Sequence, residues 1–243
     1  MKPYQQVPVV ECGEPLVTIQ LEQFAVVFPH PYQQLGAPYG ERSPYHLRQS
    51  VLDNLIKAQT NLQQCCPGWR IQIFDAYRPV LVQQFMVDHV YAEIIQCQGL
   101  NSKNLTESQH HAILQQVYQL WAIPSLDPKT PPPHSTGGAI DVTLVDDAGQ
   151  TVFMGSPIDE LSPRSHPDYF AAIANDPTLG SAEREQAYLA DQNRQLLKRI
   201  MCAAGFQRHP GEWWHFCLGD QMWAWLTQQQ MPENAVVACY GRI

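Results

Sequence analysis

The 243-residue sequence is long enough for one large domain or two small ones. With 44% hydrophobic and 16% charged residues, it has the composition of a globular protein rather than a disordered one. Its net charge of −8, with only 15 Lys and Arg residues, offers no basic surface for a phosphate backbone, so we exclude nucleic-acid binding. No segment approaches the ~18 consecutive apolar residues that a membrane helix requires, so we expect no membrane partner.

The first twenty residues lack the continuous apolar segment of a secretory signal, because Pro3, Pro8 and Glu11 interrupt them. We therefore expect a cytoplasmic protein. The seven cysteines are odd in number and contain no CxxC pair, which favours buried thiols over structural disulfides in a reducing compartment.

The N-terminal quarter predicts a strand followed by a helix. Residues 16–21 are rich in β-branched side chains, which favours a strand. Ser43-Pro44 is typical of a helix start, with a capping hydroxyl before a proline at the first helical position. The apolar residues behind it recur every three or four positions and predict one buried helix face: Leu47, Val51, Leu55, Ala58 and Leu62.

The middle of the chain predicts a strand, two helices and an irregular segment. Residues 69–75 alternate as in a half-buried strand, and Pro79 can open a helix that runs to about Gly99. A further helix is predicted from about 106 to 121. The proline-rich run 127–133 is incompatible with regular structure.

The last part of the chain predicts a strand at 139–145, a loop to about 180, a helix over 183–204 that Gly205 ends, and an aromatic strand at 213–217. Strands and helices are mixed without regular alternation, which favours an α+β fold. We expect a single domain over 1–243, with a central, mostly antiparallel sheet and flanking helices.

The pair His134 and Asp141 is a candidate for metal binding. In an extended chain the two residues would lie up to roughly 24 Å apart, whereas zinc requires both ligands within ~2.2 Å of one point. The chain must therefore turn back, and Gly137-Gly138 supplies backbone that can do so. Alone, this segment is more typical of a proline-rich loop with a glycine turn and a buried Asp that accepts backbone hydrogen bonds than of a ligand pair.

The run Glu212-Trp-Trp-His215 places an acid three residues before a histidine. In metallohydrolases a histidine holds the metal while a nearby acid takes a proton from water. We expect Glu212 on the turn that leads into the strand, since positions three apart on a continuous strand point to opposite faces. The alternative is an aromatic core strand with a satisfied histidine.

The two segments together supply two histidines, one aspartate and a spare glutamate. Three ligands with an open position are typical of catalytic zinc, whereas structural zinc usually has four ligands. A third segment, Asp75-Ala-Tyr-Arg78-Pro79, ends a predicted strand. An isolated arginine is usually a surface residue, but beside a metal site Arg78 would stabilise the oxyanion of a tetrahedral intermediate.

Four segments together resemble the M15 zinc peptidases. Residues 134–141 resemble their H-x(6)-D element, and residues 212–215 their E-x-W-H element. Residues 75–79 resemble the D-[GA]-Y-R-P segment of the VanX-type D-alanyl-D-alanine dipeptidases within that family, and residues 154–159 their M-G-T-x-F-D segment. The order and approximate spacing of all four motifs agree, from about residue 70 to residue 217.

The resemblance implies one Zn²⁺ per chain, held by His134, Asp141 and His215. It implies that Glu212 activates the attacking water and that Arg78 stabilises the transition state. The expected activity is hydrolysis of D-alanyl-D-alanine or a related D-amino dipeptide, with a small dipeptide as the substrate and the oligomeric state left open.

The resemblance also implies substrate contacts. Asp159 is expected to hold the free amino group, and we expect Ser135 and Tyr77 to contact the substrate. Two features depart from the family pattern: Pro132 replaces a serine two positions before the first histidine, and an extra helix and proline run occupy about 100–133. Both flank the substrate pocket, so they bear on substrate selectivity rather than on the metal.

Two alternatives stay open. The first is a related M15 carboxypeptidase or endopeptidase that acts on peptidoglycan stem peptides, which the expected cytoplasmic location disfavours. The second is a zinc-stabilised binding module without catalysis. Glu212 discriminates against it, because a purely structural metal site needs no acid beside an open coordination position.

Overall fold

A computed structural model describes residues 2–233 and 235–243 of the protein. The α+β fold predicted from the sequence is confirmed. The strands of the described residues are β1 (Leu16–Thr18), β2 (Ala25–Val26), β3 (His46–Arg48), β4 (Arg70–Asp75), β5 (Ala139–Val145), β6 (Gln207–Arg208) and β7 (His215–Cys217). The helices are α1 (Pro31–Gln34), α2 (Gln49–Cys65), α3 (Val80–Cys97), α4 (Glu107–Leu120), α5 (Tyr169–Ala174), α6 (Ser181–Ala203) and α7 (Gln221–Gln230).

The central sheet has five strands in the order β2-β4-β5-β7-β6. Only the β2–β4 pair is parallel, and the other three pairs are antiparallel, as predicted. Strand β5 lies in the middle, and all seven of its residues are buried. The main hydrophobic core packs α2 and α6 against this sheet, and a second apolar cluster lies between α3 and α4.

The first long helix begins later than the sequence predicts. The start expected at Ser43-Pro44 is wrong, because His46–Arg48 instead pairs antiparallel with Leu16–Thr18 as β3 with β1. That pairing gives the backbone of both short segments hydrogen-bond partners. This gain outweighs the preference of Ser43-Pro44 for starting a helix. The apolar stripe is otherwise confirmed, since Val51, Leu55, Ala58 and Leu62 are fully buried on α2. The strand expected over 16–21 is shorter, at Leu16–Thr18.

The helices predicted in the middle and late parts of the chain are confirmed within a few residues. The Thr106 side chain accepts from the backbone N–H of Gln109 and starts α4, and Gly205 follows α6 with φ +97°. The sequence did not predict α5 within the expected loop, nor α7. Asp220 starts α7 by accepting the backbone N–H of Trp223 at 2.8 Å.

The aromatic strand at 213–217 forms only from His215 onward. Trp213 donates its backbone N–H to the carbonyl of Ser165 at 3.1 Å, so the tryptophans precede the strand.

All seven cysteines are free. Among the described residues, no helix is both long and apolar enough to cross a membrane.

Candidate metal centre and active-site cleft

The register of three neighbouring strands brings the candidate site together. Asp141 on β5 pairs with Asp75 on β4 on one side and with His215 on β7 on the other. Paired residues on adjacent strands lie about 4.5–5.5 Å apart, so residues far apart in sequence meet at one level of the sheet. A register shift between Ile73 and Asp75 adjusts the end of β4 at this level.

His134 reaches the same level through a turn. It lies on the 3₁₀ turn Pro133–Thr136, which Gly137 ends with φ +73°. A Cβ at Gly137 would lie 2.7 Å from Cδ1 of Leu16, and one at Gly138 would lie 2.7 Å from the carbonyl oxygen of Leu218. The expectation that these glycines let the chain turn back between His134 and Asp141 agrees with this geometry.

His134, Asp141 and His215 form one buried group, with ligand atoms within 4.8 Å of one another. His134 Nε2 lies 3.2 Å from His215 Nδ1 and 3.3 Å from Asp141 Oδ2, and His215 Nδ1 lies 2.9 Å from Asp141 Oδ1. His134 Nδ1 donates to the carbonyl of Ala76 at 2.7 Å, which leaves the Nε2 lone pair directed at the group. Two imidazole nitrogens and a carboxylate facing one point fit a divalent zinc ion.

Arg78 is buried and tightly held beside this group. Asp75 Oδ2 accepts from its Nε at 2.8 Å, and Gln83 Oε1 accepts from Nη1 at 2.9 Å. The guanidinium carbon lies 5.0 Å from the ring centre of Tyr32 and 4.9 Å from that of Trp121. These contacts fix both the position and the plane of the guanidinium.

Backbone contacts join Arg78 to the segment that carries His134. The Arg78 N–H donates to the carbonyl of His134 at 3.2 Å, and Ser135 Oγ donates to the carbonyl of Arg78 at 2.9 Å. Arg78 Nη2 lies 3.4 Å from Asp141 Oδ2, so the guanidinium borders the metal group directly.

Glu212 lies on the segment before β7, as expected, and it is buried. Its Oε1 lies 3.5 Å from Nδ1 of His209. Burial, together with the negative charge of Asp141, raises the pKa of Glu212 well above its ordinary value. Burial and the neighbouring His215 lower the pKa of His209, so His209 is a neutral partner for Glu212.

Asp159 lies at the cleft with a left-handed backbone, φ +65°, which is uncommon for a non-glycine residue. Its Oδ2 accepts a hydrogen bond from the Tyr32 hydroxyl at 2.6 Å. Burial and the charge of Asp141 raise the pKa of Asp159 to about 7. An acid so placed is suited to pairing with a cation that enters the cleft.

The side chains of Ser135 and Tyr77 are engaged elsewhere. Ser135 is bonded to Arg78 as described, and the Tyr77 hydroxyl donates to the carbonyl of Ile243 at 3.1 Å while accepting from Arg42. Neither is among the described residues that line the cleft, so their predicted substrate contact stays a prediction.

A small cleft of about 40 Å³ lies over the metal group. Arg78, Asp159 and Glu212 line it beside the three candidate ligands. The sequence did not point to several other residues of its wall: Lys2, Tyr4, Gln83, Trp121 and His209. Of these residues, only His209 lies within three positions of a candidate site residue, because it precedes Glu212 by three positions. Lys2 and Tyr4 lie far from every motif.

Comparison with known proteins agrees with this geometry. The peptidase M15 family model, described as "D-ala-D-ala dipeptidase", matches residues 26–237. A D-alanyl-D-alanine dipeptidase of Synechocystis sp. is 51% identical over 243 residues, covering 100% of this chain and 97% of the relative. One from Enterococcus faecium is 30% identical over 73% of each chain, and one from Escherichia coli is 41% identical over 34% of this chain and 36% of the relative.

Proposed function

This chain belongs to peptidase family M15, through a family model described as "D-ala-D-ala dipeptidase", and on that premise we propose that it is a zinc-dependent enzyme that hydrolyses D-alanyl-D-alanine to free alanine. The observation that carries the proposal is the convergence of His134, Asp141 and His215 at one end of a cleft that Glu212 also lines. We propose that the whole chain, 1–243, acts as a single peptidase domain.

One zinc ion per chain would be held by His134 through Nε2, His215 through Nδ1 and Asp141 through its carboxylate. When bound, zinc supplies Lewis acidity, which makes water a stronger acid and a carbonyl carbon a better electrophile. The hydrogen bond from His134 Nδ1 to the Ala76 carbonyl supports this assignment, because it holds the ring in the tautomer that a ligand requires.

Glu212 moves the proton in this proposal. Its carboxylate takes a proton from the attacking water, whose oxygen adds to the scissile carbonyl carbon. The same carboxyl group then gives that proton to the nitrogen of the leaving amino acid as the C–N bond breaks. The raised pKa of Glu212 supports this role, since a group that both takes and returns a proton near neutral pH works best with a pKa near the ambient pH.

Arg78 would stabilise the negative charge that develops on the carbonyl oxygen. Its guanidinium is held by Asp75, Gln83 and two aromatic rings, so little reorganisation is needed when charge appears. Nη2 of Arg78 lies 3.4 Å from Oδ2 of Asp141. This short distance supports the role, because the guanidinium borders the proposed zinc ligands.

Asp159 would bind the free ammonium group of the dipeptide, with Tyr32 orienting the carboxylate. A site for a free amino terminus one residue before the scissile bond excludes substrates that are extended on the amino side. This favours a dipeptidase over a carboxypeptidase or endopeptidase that acts within longer stem peptides.

The proposal is tested by measuring release of free alanine from D-alanyl-D-alanine, L-alanyl-L-alanine and a stem pentapeptide, each with and without added zinc. We expect zinc-dependent release from the D,D-dipeptide alone. Release mainly from the pentapeptide would support the carboxypeptidase alternative. No release from any substrate, with zinc bound, would support a binding module.

A further inference from the structure

The N-terminal segment forms part of the wall of the active-site cleft. The 3₁₀ turn Pro3–Gln6 packs against α7, and buried Tyr4 clusters with Ala139, Cys217 and Met222. The segment is therefore anchored by packing as well as by hydrogen bonds.

The hydrogen bonds come from the buried side chain of Gln221 at the start of α7. Its Nε2 donates to the carbonyl of Val7 at 2.6 Å and to that of Gln5 at 3.4 Å. The backbone N–H of Lys2 donates to Gln5 Oε1 at 2.8 Å, which continues the ordered segment to Lys2.

Lys2 lines the cleft together with Glu212 and the metal group. Burial lowers the pKa of Lys2, and the Glu212 carboxylate opposes that effect. Among the described residues, no carboxylate lies within 4 Å of the Lys2 ammonium. The cleft thus holds a partly buried lysine whose charge lacks a close partner, an arrangement that costs free energy unless a ligand compensates it.

The other basic groups of the cleft are already committed. Arg78 is bound by Asp75 and Gln83 and is assigned to the carbonyl oxygen of the scissile bond, and His209 Nδ1 accepts the backbone N–H of Gly211 at 3.1 Å. Among the described lining residues, Lys2 is therefore the basic side chain that remains available to a second anionic group of the substrate.

A dipeptide carries two opposite charges, and the cleft provides one group for each. Asp159 is suited to the ammonium, and its negative charge disfavours a carboxylate at the same place. We propose that Lys2 binds the terminal carboxylate of the substrate and thereby selects peptides whose scissile bond precedes the last residue. This inference rests on the proposed function, because it presupposes a dipeptide substrate.

The test compares D-alanyl-D-alanine with its C-terminal amide, which has the same shape without the charge. In the wild-type protein, kcat/KM for the dipeptide should exceed that for the amide by about 10- to 100-fold, the usual effect of a hydrogen bond to a charged group. Lys2→Met should remove most of this preference by raising KM for the dipeptide, while the amide is unaffected. Lys2→Arg should restore part of it, and Lys57→Met, on the exposed face of α2, is the matched control.

Three outcomes would overturn the proposal. The first is equal kcat/KM for the two substrates in the wild-type protein. The second is a preference that survives in Lys2→Met. The third is a loss in Lys2→Met that is the same for both substrates and accompanied by a shifted pH profile, which would mean that Lys2 acts on Glu212 instead.

Failure of the proposed function gives a different result. If the zinc-loaded wild-type protein hydrolyses neither compound, dipeptidase activity is wrong, and calorimetric binding of the same two compounds decides the role of Lys2. Tighter binding of the dipeptide than of the amide, abolished by Lys2→Met, would support the carboxylate site. Equal binding would overturn it.

Discussion

Nε2 of His134 lies 3.2 Å from Nδ1 of His215, although 81 positions separate the two residues in the chain. The two rings meet edge to face, with centroids 4.9 Å apart. Asp141 faces both nitrogens, with Oδ1 2.9 Å from His215 Nδ1 and Oδ2 3.3 Å from His134 Nε2, so the three side chains face one point. A metal ion bound there would be held by all three, and its removal therefore has measurable consequences.

Metal removal should destabilise the fold without unfolding it. An ion that binds only the folded state adds about 2.7 kcal/mol at a concentration 100 times its dissociation constant. We expect the melting temperature to rise when zinc is added to chelator-treated protein. In His215→Ala this rise should disappear, whereas in His111→Ala, on the exposed face of α4, it should be unchanged. An equal rise in all three proteins would argue against the His134–Asp141–His215 site.

Replacement of Glu212 by Gln should abolish turnover and keep the metal. The amide has nearly the same shape but is a far weaker base, so kcat should fall by about 10²- to 10⁴-fold, the usual contribution of general acid–base catalysis. Zinc content, measured by atomic absorption, should stay at one per chain. Retention of full activity would rule out Glu212 as the group that moves the proton.

Arg78 should affect turnover more than substrate binding. Arg78→Ala removes an oxyanion donor, which typically lowers kcat by about 10²- to 10³-fold, with little change in KM when the contact exists only in the transition state. Arg78→Lys keeps the charge but loses the two-pronged contact with Asp75, so kcat should fall in this variant too. Circular dichroism of both variants separates this effect from misfolding, because Arg78 is buried. A change confined to KM would instead assign Arg78 to ground-state binding.

Substrate capture should weaken as the pH falls through about 7. The Asp159 carboxyl, with its pKa raised to about 7 by burial and by Asp141, is mostly protonated below that pH and cannot pair with an ammonium group. We therefore expect kcat/KM to decline on the acid side of about pH 7.

The Tyr32 hydrogen bond stabilises the ionised form of Asp159 and so lowers its pKa. Tyr32→Phe should therefore move the acid limb of the kcat/KM profile to higher pH. Tyr118→Phe on α4, outside the cleft, should leave it in place. An acid limb that Tyr32→Phe does not move would show that a group other than Asp159 controls it.

Local sequence signals determined the elements and the candidate ligands. Periodic apolar residues predicted the body of α2, alternation predicted β4 and β5, and two short motifs supplied the His134, Asp141, His215 and Glu212 set. These features depend on neighbours within a few positions, which is the range over which periodicity and turn chemistry act.

Tertiary structure decided what those signals could not. Residues 46–48 form β3 rather than helix because β1 offers a partner strand, and the pairing of Asp75, Asp141 and His215 across three strands depends on register between distant segments. From a region without a motif, Lys2 reaches the cleft on the segment that packs against α7, and Tyr32 reaches Asp159 through a hydrogen bond. Such contacts follow from the closure of the whole chain around its core, so the candidate zinc ligands could be predicted from the sequence, whereas Lys2 and Tyr32 could not.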